Sequence, residues 1–237
     1  MTVNPQSPTQ LGVRPAPALV QQLLVGAFGW MFAGLLLSAG VAYLVGTSEQ
    51  LLNTVAQWWL PLLIGQFILV MVISAGINKL SATAALGLFF LYAATMGLTI
   101  GVIVWAYMQT PGGSTAVASA FLSASAMFAG AAVYGAVTKR ELAKLGGLLF
   151  MALIGLIVAS VVNLFLHSSS VDWVISIAGV LIFVGLTAYD VQRITRGDYA
   201  AFTQSKEKAS VLAALHLYLN FINLFLFLLR IFGGNRG

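Results

Sequence analysis

Seven long apolar runs constrain the fold of this chain more than any other feature of its sequence. A membrane-spanning helix needs about 20 consecutive apolar residues, and within lipid only helices and closed barrels satisfy their backbone hydrogen bonds. The runs therefore predict an all-α membrane protein with seven transmembrane helices. The predicted spans are Val20–Val45, Trp58–Ala75, Ala84–Met108, Ala116–Val137, Leu145–Leu166, Trp173–Tyr189 and Val211–Phe232.

These spans predict one transmembrane domain, residues 20–233, with a short polar segment at each end. Residues 1–19 are polar and rich in proline, which indicates a disordered N-terminal tail. Residues 234–237 form a short C-terminal tail. The N-terminal segment has no charged start or cleavage site of a signal peptide, and we expect a bacterial cytoplasmic membrane.

The composition argues against several classes of protein. Hydrophobic residues make up 60% of the chain and charged residues 7%, whereas soluble domains carry about 25% charged residues. The absence of cysteine excludes disulfides, thiolate metal sites and cysteine nucleophiles. No metalloprotease or hydrolase motif is present, so we expect neither an enzyme nor a tightly bound cofactor. The net charge of +5 comes from scattered residues and does not predict nucleic-acid binding.

The basic residues predict the orientation of the chain in the membrane. Cytoplasmic connections are enriched in Lys and Arg, so the N-terminus should be cytoplasmic. Arg230 and Arg236 would then lie outside if the seventh span crosses fully, or inside if it is re-entrant; its length favours full crossing. Nine of the 11 basic residues lie before the first span or in alternate gaps: Arg14, Lys79, Lys139, Arg140, Lys144, Arg193, Arg196, Lys206 and Lys208.

The seventh apolar run carries polar side chains on one face. His216, Asn220 and Asn223 follow each other at i, i+4 and i+7, which places them on one side of a helix. Lipid cannot satisfy these groups, so the face should meet another buried polar group. His216 could titrate near neutral pH, but a lone histidine in an apolar helix is more often a hydrogen-bonded packing residue.

Asp190 is the acidic residue that best fits such a partner. It ends the sixth run in the segment GLTAYDVQRI, with Arg193 one helical turn further on. Two interpretations stay open from spacing alone: an interfacial aspartate paired with Arg193, or a buried carboxylate that faces the last helix and titrates as a gate. The other acidic residues are predicted in loops or charged connections: Glu49, Glu141, Asp172, Asp198 and Glu207.

Four segments together resemble the Bax inhibitor-1 family, specifically its small bacterial members. They are GLTAYDVQRI at Gly185–Ile194, LHLYLNFINLFLFLLRIFG at Leu215–Gly233, TKRELAKLGGLLF at Thr138–Phe150 and VVNLFL at Val161–Leu166. The resemblance covers all seven spans. It implies six helices wrapped around a central C-terminal seventh, and a pH-sensitive calcium leak gated by two facing aspartates near the cytoplasmic side.

The resemblance also implies roles for individual residues. Asp190 corresponds to the first aspartate of the gate, whereas Asn220 stands where the family has the second. Lys79 corresponds to a basic residue that latches onto the first aspartate, and Arg193 is a second candidate for that latch. His216, Asn223 and Asn163 could complete the polar lining.

Asparagine at position 220 changes the chemistry expected of this gate. Two carboxylates in contact cannot both ionise cheaply, and an amide removes that repulsion while donating a hydrogen bond to Asp190. Both effects favour ionised Asp190, so any proton-controlled opening should move to lower pH. Calcium prefers several oxygen ligands, and this contact would offer it only one carboxylate and one amide oxygen. Asp190 is therefore expected to bind calcium only weakly.

A second function stays open from the sequence. The protein could act without transport, by association with a membrane-anchored protease or in a stress or cell-death response. In that case the cytoplasmic loops and the N-terminal tail should matter more than Asp190. The expected partners are thus the lipid bilayer, calcium or other cations and, for the second function, a membrane protease.

Overall fold

The computed structural model describes residues 15–234, and all the regular secondary structure of this part of the chain is helical, with no strand. Residues 1–14, most of the predicted N-terminal tail, lie outside the described residues, as do residues 235–237 with Arg236. The helices are α1 (Pro17–Gly46), α2 (Glu49–Gln57), α3 (Trp59–Gly76), α4 (Ala82–Met108), α5 (Gly113–Val137), α6 (Ala143–Leu166), α7 (Ser169–Thr195), α8 (Asp198–Thr203) and α9 (Lys206–Gly233).

Seven of these helices are long and apolar enough to cross a membrane, which confirms the predicted all-α, seven-span class. Each corresponds to one of the predicted apolar runs. The two additional helices, α2 and α8, are short and lie in the connections. α1 begins at Pro17, so the last residues assigned to the N-terminal tail are helical.

Several helices extend beyond the apolar runs, and the prediction of loops at four acidic residues was wrong. Asp172 and Glu207 lie in the first turns of α7 and α9, and Glu49 and Asp198 begin α2 and α8. Carboxylates stabilise the first turn of a helix because they face the positive end of its dipole. Hydropathy shows where a span leaves the lipid, but the helix continues into the polar region.

The described residues fall into two compact units of contacting helices. The first contains the residues up to Gln109 together with Arg193–Tyr218. The second contains Thr110–Gln192 and the residues from Leu219 onward. The divisions fall within α7 and α9, so each of these two helices contributes to both units.

In the first unit, small residues bring α1 and α4 into backbone contact. A methyl group on Gly97 would lie 2.7 Å from the carbonyl oxygen of Ser38, and one on Gly101 would lie 2.9 Å from that of Ala42. Close approach of this kind is how helices associate in lipid, where apolar burial supplies little attraction between them.

In the second unit, glycines bring α5 and α6 against the C-terminal half of α7. A methyl group on Gly135 would overlap the backbone carbonyl of Ala188, and one on Gly146 would lie 2.6 Å from the ring of Tyr189. These contacts immediately precede Asp190 in the sequence of α7.

The two helices α7 and α9 run antiparallel within the second unit. Asn220 of α9 contacts Asp190, while Arg230 contacts Asp172 in the first turn of α7 at 3.1 Å. α9 is one uninterrupted helix of 28 residues, long and apolar enough to cross a membrane.

α9 is also the most buried of the seven long helices. In its most apolar stretch 72% of the residues are buried, compared with 6% in α6. This burial is what a central helix requires, whereas α6 has the exposed apolar surface of a helix that faces lipid. The wrapping of all six other helices around α9 stays a prediction.

Candidate functional site

The candidate site is a buried contact between one carboxylate and one amide. The Nδ2 atom of Asn220 donates a hydrogen bond to Oδ2 of Asp190 over 2.8 Å. The two residues are only 4% and 5% exposed, respectively. An ionised carboxylate can only accept hydrogen bonds, so this contact fixes which end of the Asn220 amide faces Asp190. The contact implied by the family resemblance is therefore present.

Asp190 lies within α7 rather than at its end, because the helix continues to Thr195. The neighbouring residues Ala188 and Tyr189 are the two that pack against Gly135 and Gly146. α7 is thus packed closely against α5 through its backbone and against α6 through the Tyr189 ring, immediately before the carboxylate. Any displacement of Asp190 must disturb this packing.

Gln192 holds the α5–α6 connection against α7, two residues after Asp190. Its Oε1 atom accepts a hydrogen bond from the backbone N–H of Leu142, and its Nε2 atom donates to the carbonyl oxygen of Arg140, both at 2.8 Å. Gln192 is 3% exposed. The sequence analysis missed this residue, although a glutamine beside Asp190 in an apolar helix was a signal that it needs partners.

His216 is bound by a residue that the sequence analysis did not single out. The hydroxyl of Tyr199, in α8, lies 2.7 Å from Nδ1 of His216, and the two rings meet edge to face. The guanidinium of Arg193 lies over the ring of the same Tyr199, with its Cζ atom 4.3 Å from the ring centre. The structure therefore places both His216 and Arg193 in contact with one buried tyrosine, in the first unit. This agrees with the expectation of a hydrogen-bonded packing histidine.

Two other predicted lining residues make local bonds instead. Asn223 donates from Nδ2 to the carbonyl oxygen of Leu219 in its own helix. The side-chain Oδ1 atom of Asn163 accepts a hydrogen bond from the backbone N–H of Ser168. The backbone carbonyl oxygen of Asn163 accepts one from the backbone N–H of His167. Asn163 therefore caps the end of α6, at the opposite end of α7 from Asp190.

Lys79, the predicted latch, lies in the turn after α3 and is exposed. Its backbone N–H donates to the carbonyl oxygen of Gly76 over 2.8 Å, which closes that turn. Lys79 belongs to the first unit, and its action on Asp190 stays a prediction.

A second buried polar contact of α9 lies in the first unit and was also missed. The hydroxyls of Tyr218 and Ser38 are 2.6 Å apart, and Ser38 Oγ also lies 2.7 Å and 2.9 Å from the carbonyl oxygens of Ala93 and Gly34. Since carbonyls only accept, the single Ser38 proton points toward them. Tyr218 must therefore donate to Ser38.

Residues 15–234 contain no group of three or more His, Cys, Asp or Glu side chains that could hold a metal ion. Asp190 and Asn220 together offer two carboxylate oxygens and one amide oxygen, fewer than the about six to eight ligands that calcium takes in proteins.

Seven long apolar helices, with a buried carboxylate–amide contact between two of them, define an integral membrane protein with a polar site inside its helical core. Comparison with known families agrees with this class. A family model described as "Inhibitor of apoptosis-promoting Bax1" matches residues 20–237. The chain belongs to this family, the Bax inhibitor-1 family, as the resemblance of its motifs indicated.

Bacterial relatives match nearly the whole chain. It is 44% identical over 230 residues to the Inner membrane protein YbhL of Escherichia coli (strain K12), covering 94% of this chain and 96% of the relative. A protein of Deinococcus radiodurans is 42% identical over 213 residues, or 90% of each chain. A protein of Borreliella burgdorferi is 42% identical over 220 residues, covering 91% of this chain and 93% of the relative.

Proposed function

We propose that the protein is a pH-sensitive cation leak of the membrane, opened by protonation of Asp190. The observation that carries this proposal is the buried contact between Asp190 and Asn220, since ionisable residues inside membrane helices are rare and usually mark ion or proton pathways. Calcium is the permeant ion that the family resemblance implies.

The chemistry of the contact supports control by protons. A hydrogen bond to an ionised carboxylate is roughly twice as strong as one between neutral groups. Protonation of Asp190 therefore weakens its bond to Asn220 and with it the contact between α7 and α9. Falling pH should loosen this contact and raise the flux.

The proposed location is a bacterial cytoplasmic membrane, with the N-terminus in the cytoplasm. The relative from Escherichia coli carries the name of an inner membrane protein, and nine of the 11 basic residues lie before the first span or in alternate connections. In this orientation Asp190 lies toward the cytoplasmic side, and cytoplasmic acidification is the signal that opens the leak.

The decisive experiment measures calcium flux into vesicles that contain the purified protein, across a pH series. The wild type should show more flux as pH falls. Asp190→Asn carries no ionisable group at the contact, so its flux at neutral pH should match that of the wild type at low pH and should not vary with pH.

The matched control is Asp172→Asn, which removes a carboxylate from the half-exposed, opposite end of α7. Its pH response should equal that of the wild type. If Asp190→Asn also follows the wild-type response, or if no flux exceeds that of empty vesicles, the proposal is wrong. Dependence of a cellular effect on residues 1–17, and not on Asp190, would instead indicate the non-transporting interaction function.

A further inference from the structure

We propose that a cleft at the opposite end of α7 from Asp190 binds the headgroup of a membrane lipid of the phosphoethanolamine class. The cleft has a volume of about 650 Å³, within the range of small-ligand sites. It lies wholly within the second unit and is lined by residues from the beginning of α7 and the end of α9. This site has no part in the flux through the Asp190 contact and is independent of the proposed leak.

The cleft carries one positive and one negative side chain. The Nη1 atom of Arg230 donates to Oδ1 of Asp172 over 3.1 Å. Among the described residues, Asp172 is the one hydrogen-bond partner of this guanidinium, which has five N–H donors. A guanidinium binds phosphate through paired hydrogen bonds, and a carboxylate accepts hydrogen bonds from a primary ammonium group. The two charges therefore match the phosphate and the ammonium of a zwitterionic headgroup.

The ion pair between these side chains can open at low cost. The side chains of Arg230 and Asp172 are 43% and 39% exposed, and exposed ion pairs contribute little to stability because water already solvates both charges. The phosphate of the headgroup replaces the carboxylate at Arg230, and the ammonium replaces the guanidinium at Asp172. Both charges stay compensated in this exchange. An anionic lipid without an ammonium group would instead place its phosphate beside an uncompensated carboxylate, which favours the zwitterion.

Arg230 is supported by a packed ring that does not depend on the ion pair. Its Cζ atom lies 5.7 Å from the centre of the Phe227 ring, one helical turn earlier in α9. That ring stacks on Phe183 at 5.9 Å, and a methyl group on Gly179 would lie only 2.6 Å from it. A guanidinium over a fixed aromatic ring keeps its place when its carboxylate partner is exchanged, so the phosphate meets a preorganised donor.

The surroundings of the cleft favour a lipid over a soluble ligand. Trp173 and Val174 line it and are 53% and 59% exposed, and the apolar run of α7 begins at Trp173. Exposed tryptophan is typical of the headgroup level of a membrane. The exposed hydroxyl residues Ser169 and Ser170 line the polar side of the cleft. A bound lipid can therefore place its headgroup among polar groups and its acyl chains along the apolar surface of α7.

The test reconstitutes the full chain in bilayers of equal amounts of phosphatidylethanolamine, phosphatidylcholine and phosphatidylglycerol with identical acyl chains. Native mass spectrometry then counts the lipids that stay bound after mild detergent extraction. The methylated ammonium of phosphatidylcholine has no N–H donor for Asp172, and phosphatidylglycerol has no cation. We expect the wild type to retain phosphatidylethanolamine over either lipid at least about tenfold, the selectivity that one hydrogen bond between charged groups supplies.

Two variants remove the same ion pair but leave opposite charges in the cleft. Asp172→Asn leaves the guanidinium alone, so the preference should move to phosphatidylglycerol. Arg230→Gln removes the partner of the phosphate and should retain about tenfold less phosphatidylethanolamine than the wild type. The matched control is Glu207→Gln, which removes an exposed carboxylate from the ion pair with Lys206 in the first unit. This variant should keep the wild-type preference, as should a chain that ends at Gly234.

The outcomes test the site separately from the leak, because none of them depends on flux. A wild type that retains the three lipids equally overturns the inference, and this result needs no variant to fold. The same change of preference in Asp172→Asn and Arg230→Gln also overturns it, since that is the result of a merely structural ion pair. Displacement of the bound lipid by an equal concentration of soluble phosphoethanolamine overturns the lipid as the occupant.

Discussion

α9 makes two buried polar contacts only two residues apart in sequence, and they differ in chemistry. Tyr218 donates to Ser38 in the first unit, where both groups are hydroxyls and two backbone carbonyls complete the network. Asn220 donates to the Asp190 carboxylate in the second unit. The hydroxyl contact stays neutral over the physiological pH range, whereas the carboxylate contact can gain a proton. Under the proposed function, the first contact holds the helix in place and the second responds to pH.

The largest effect should come from the packing that surrounds the carboxylate contact. Gly135→Ala places a methyl group against the backbone of Ala188, which cannot rotate away, so we expect destabilisation of about 3 kcal/mol or more. Thermal unfolding in detergent measures this loss. Gly130→Ala on the same helix is the control, because a methyl group there meets nothing within 4 Å. Equal stability of the two variants would show that α5 and α7 are not packed as described.

A second carboxylate at position 220 should increase the difference in pH response between the carboxylate contact and the hydroxyl contact. Asn220→Asp places two carboxylates together, and they cannot both ionise cheaply. The pH midpoint of the flux should move toward neutrality by about one unit, which corresponds to about 1.4 kcal/mol. The vesicle assay across a pH series measures this midpoint. An unmoved midpoint would argue that residues 190 and 220 are not in contact when the carboxylate titrates.

Loss of the hydroxyl contact should have a smaller effect and leave the pH response intact. Tyr218→Phe removes one hydrogen bond while Ser38 keeps its carbonyl acceptors, so the loss of stability should be about 0.5–1.5 kcal/mol. Unfolding and flux are measured on the same preparation. A shifted pH midpoint in Tyr218→Phe would remove the distinction between a structural and a responsive contact.

The smallest effect should come from the ion pair at the exposed end of the same two helices. The side chains of Asp172 and Arg230 are 39% and 43% exposed, so Arg230→Gln should cost about 1 kcal/mol or less. Added salt should reduce the difference in stability between the wild type and Arg230→Gln further, because exposed charges are screened. A loss as large as that of Gly135→Ala would mean that this pair is far less solvated than its exposure indicates.

The fold class was predictable because the lipid environment leaves a chain of this composition few alternatives. Each long apolar run became one helix, and only the helix ends differed. The ends differed at Asp172 and Glu207, where carboxylates begin a helix outside the apolar run. Hydropathy detects contact with lipid, and it has no signal for a helical turn that lies in water.

The candidate site was predictable only in part. Helical spacing placed His216 and Asn220 on one face of the last helix, and the family resemblance paired position 220 with Asp190. Spacing does not show which neighbouring helix a side chain meets, so the Tyr199 partner of His216 could not be inferred. The Tyr218–Ser38 contact was missed for the same reason, since its residues are 180 positions apart.

The antiparallel arrangement of α7 and α9 makes this protein well suited to topology mapping by thiol labelling. Asp172 and Arg230 mark one end of the helix pair, and the connection from Arg196 to Ser205 marks the other. The chain has no cysteine, so a single cysteine introduced at Ser170 or at Gln204 would be its sole reactive thiol. A membrane-impermeant maleimide should label these two positions from opposite faces of a sealed vesicle, and one such experiment would orient every helix.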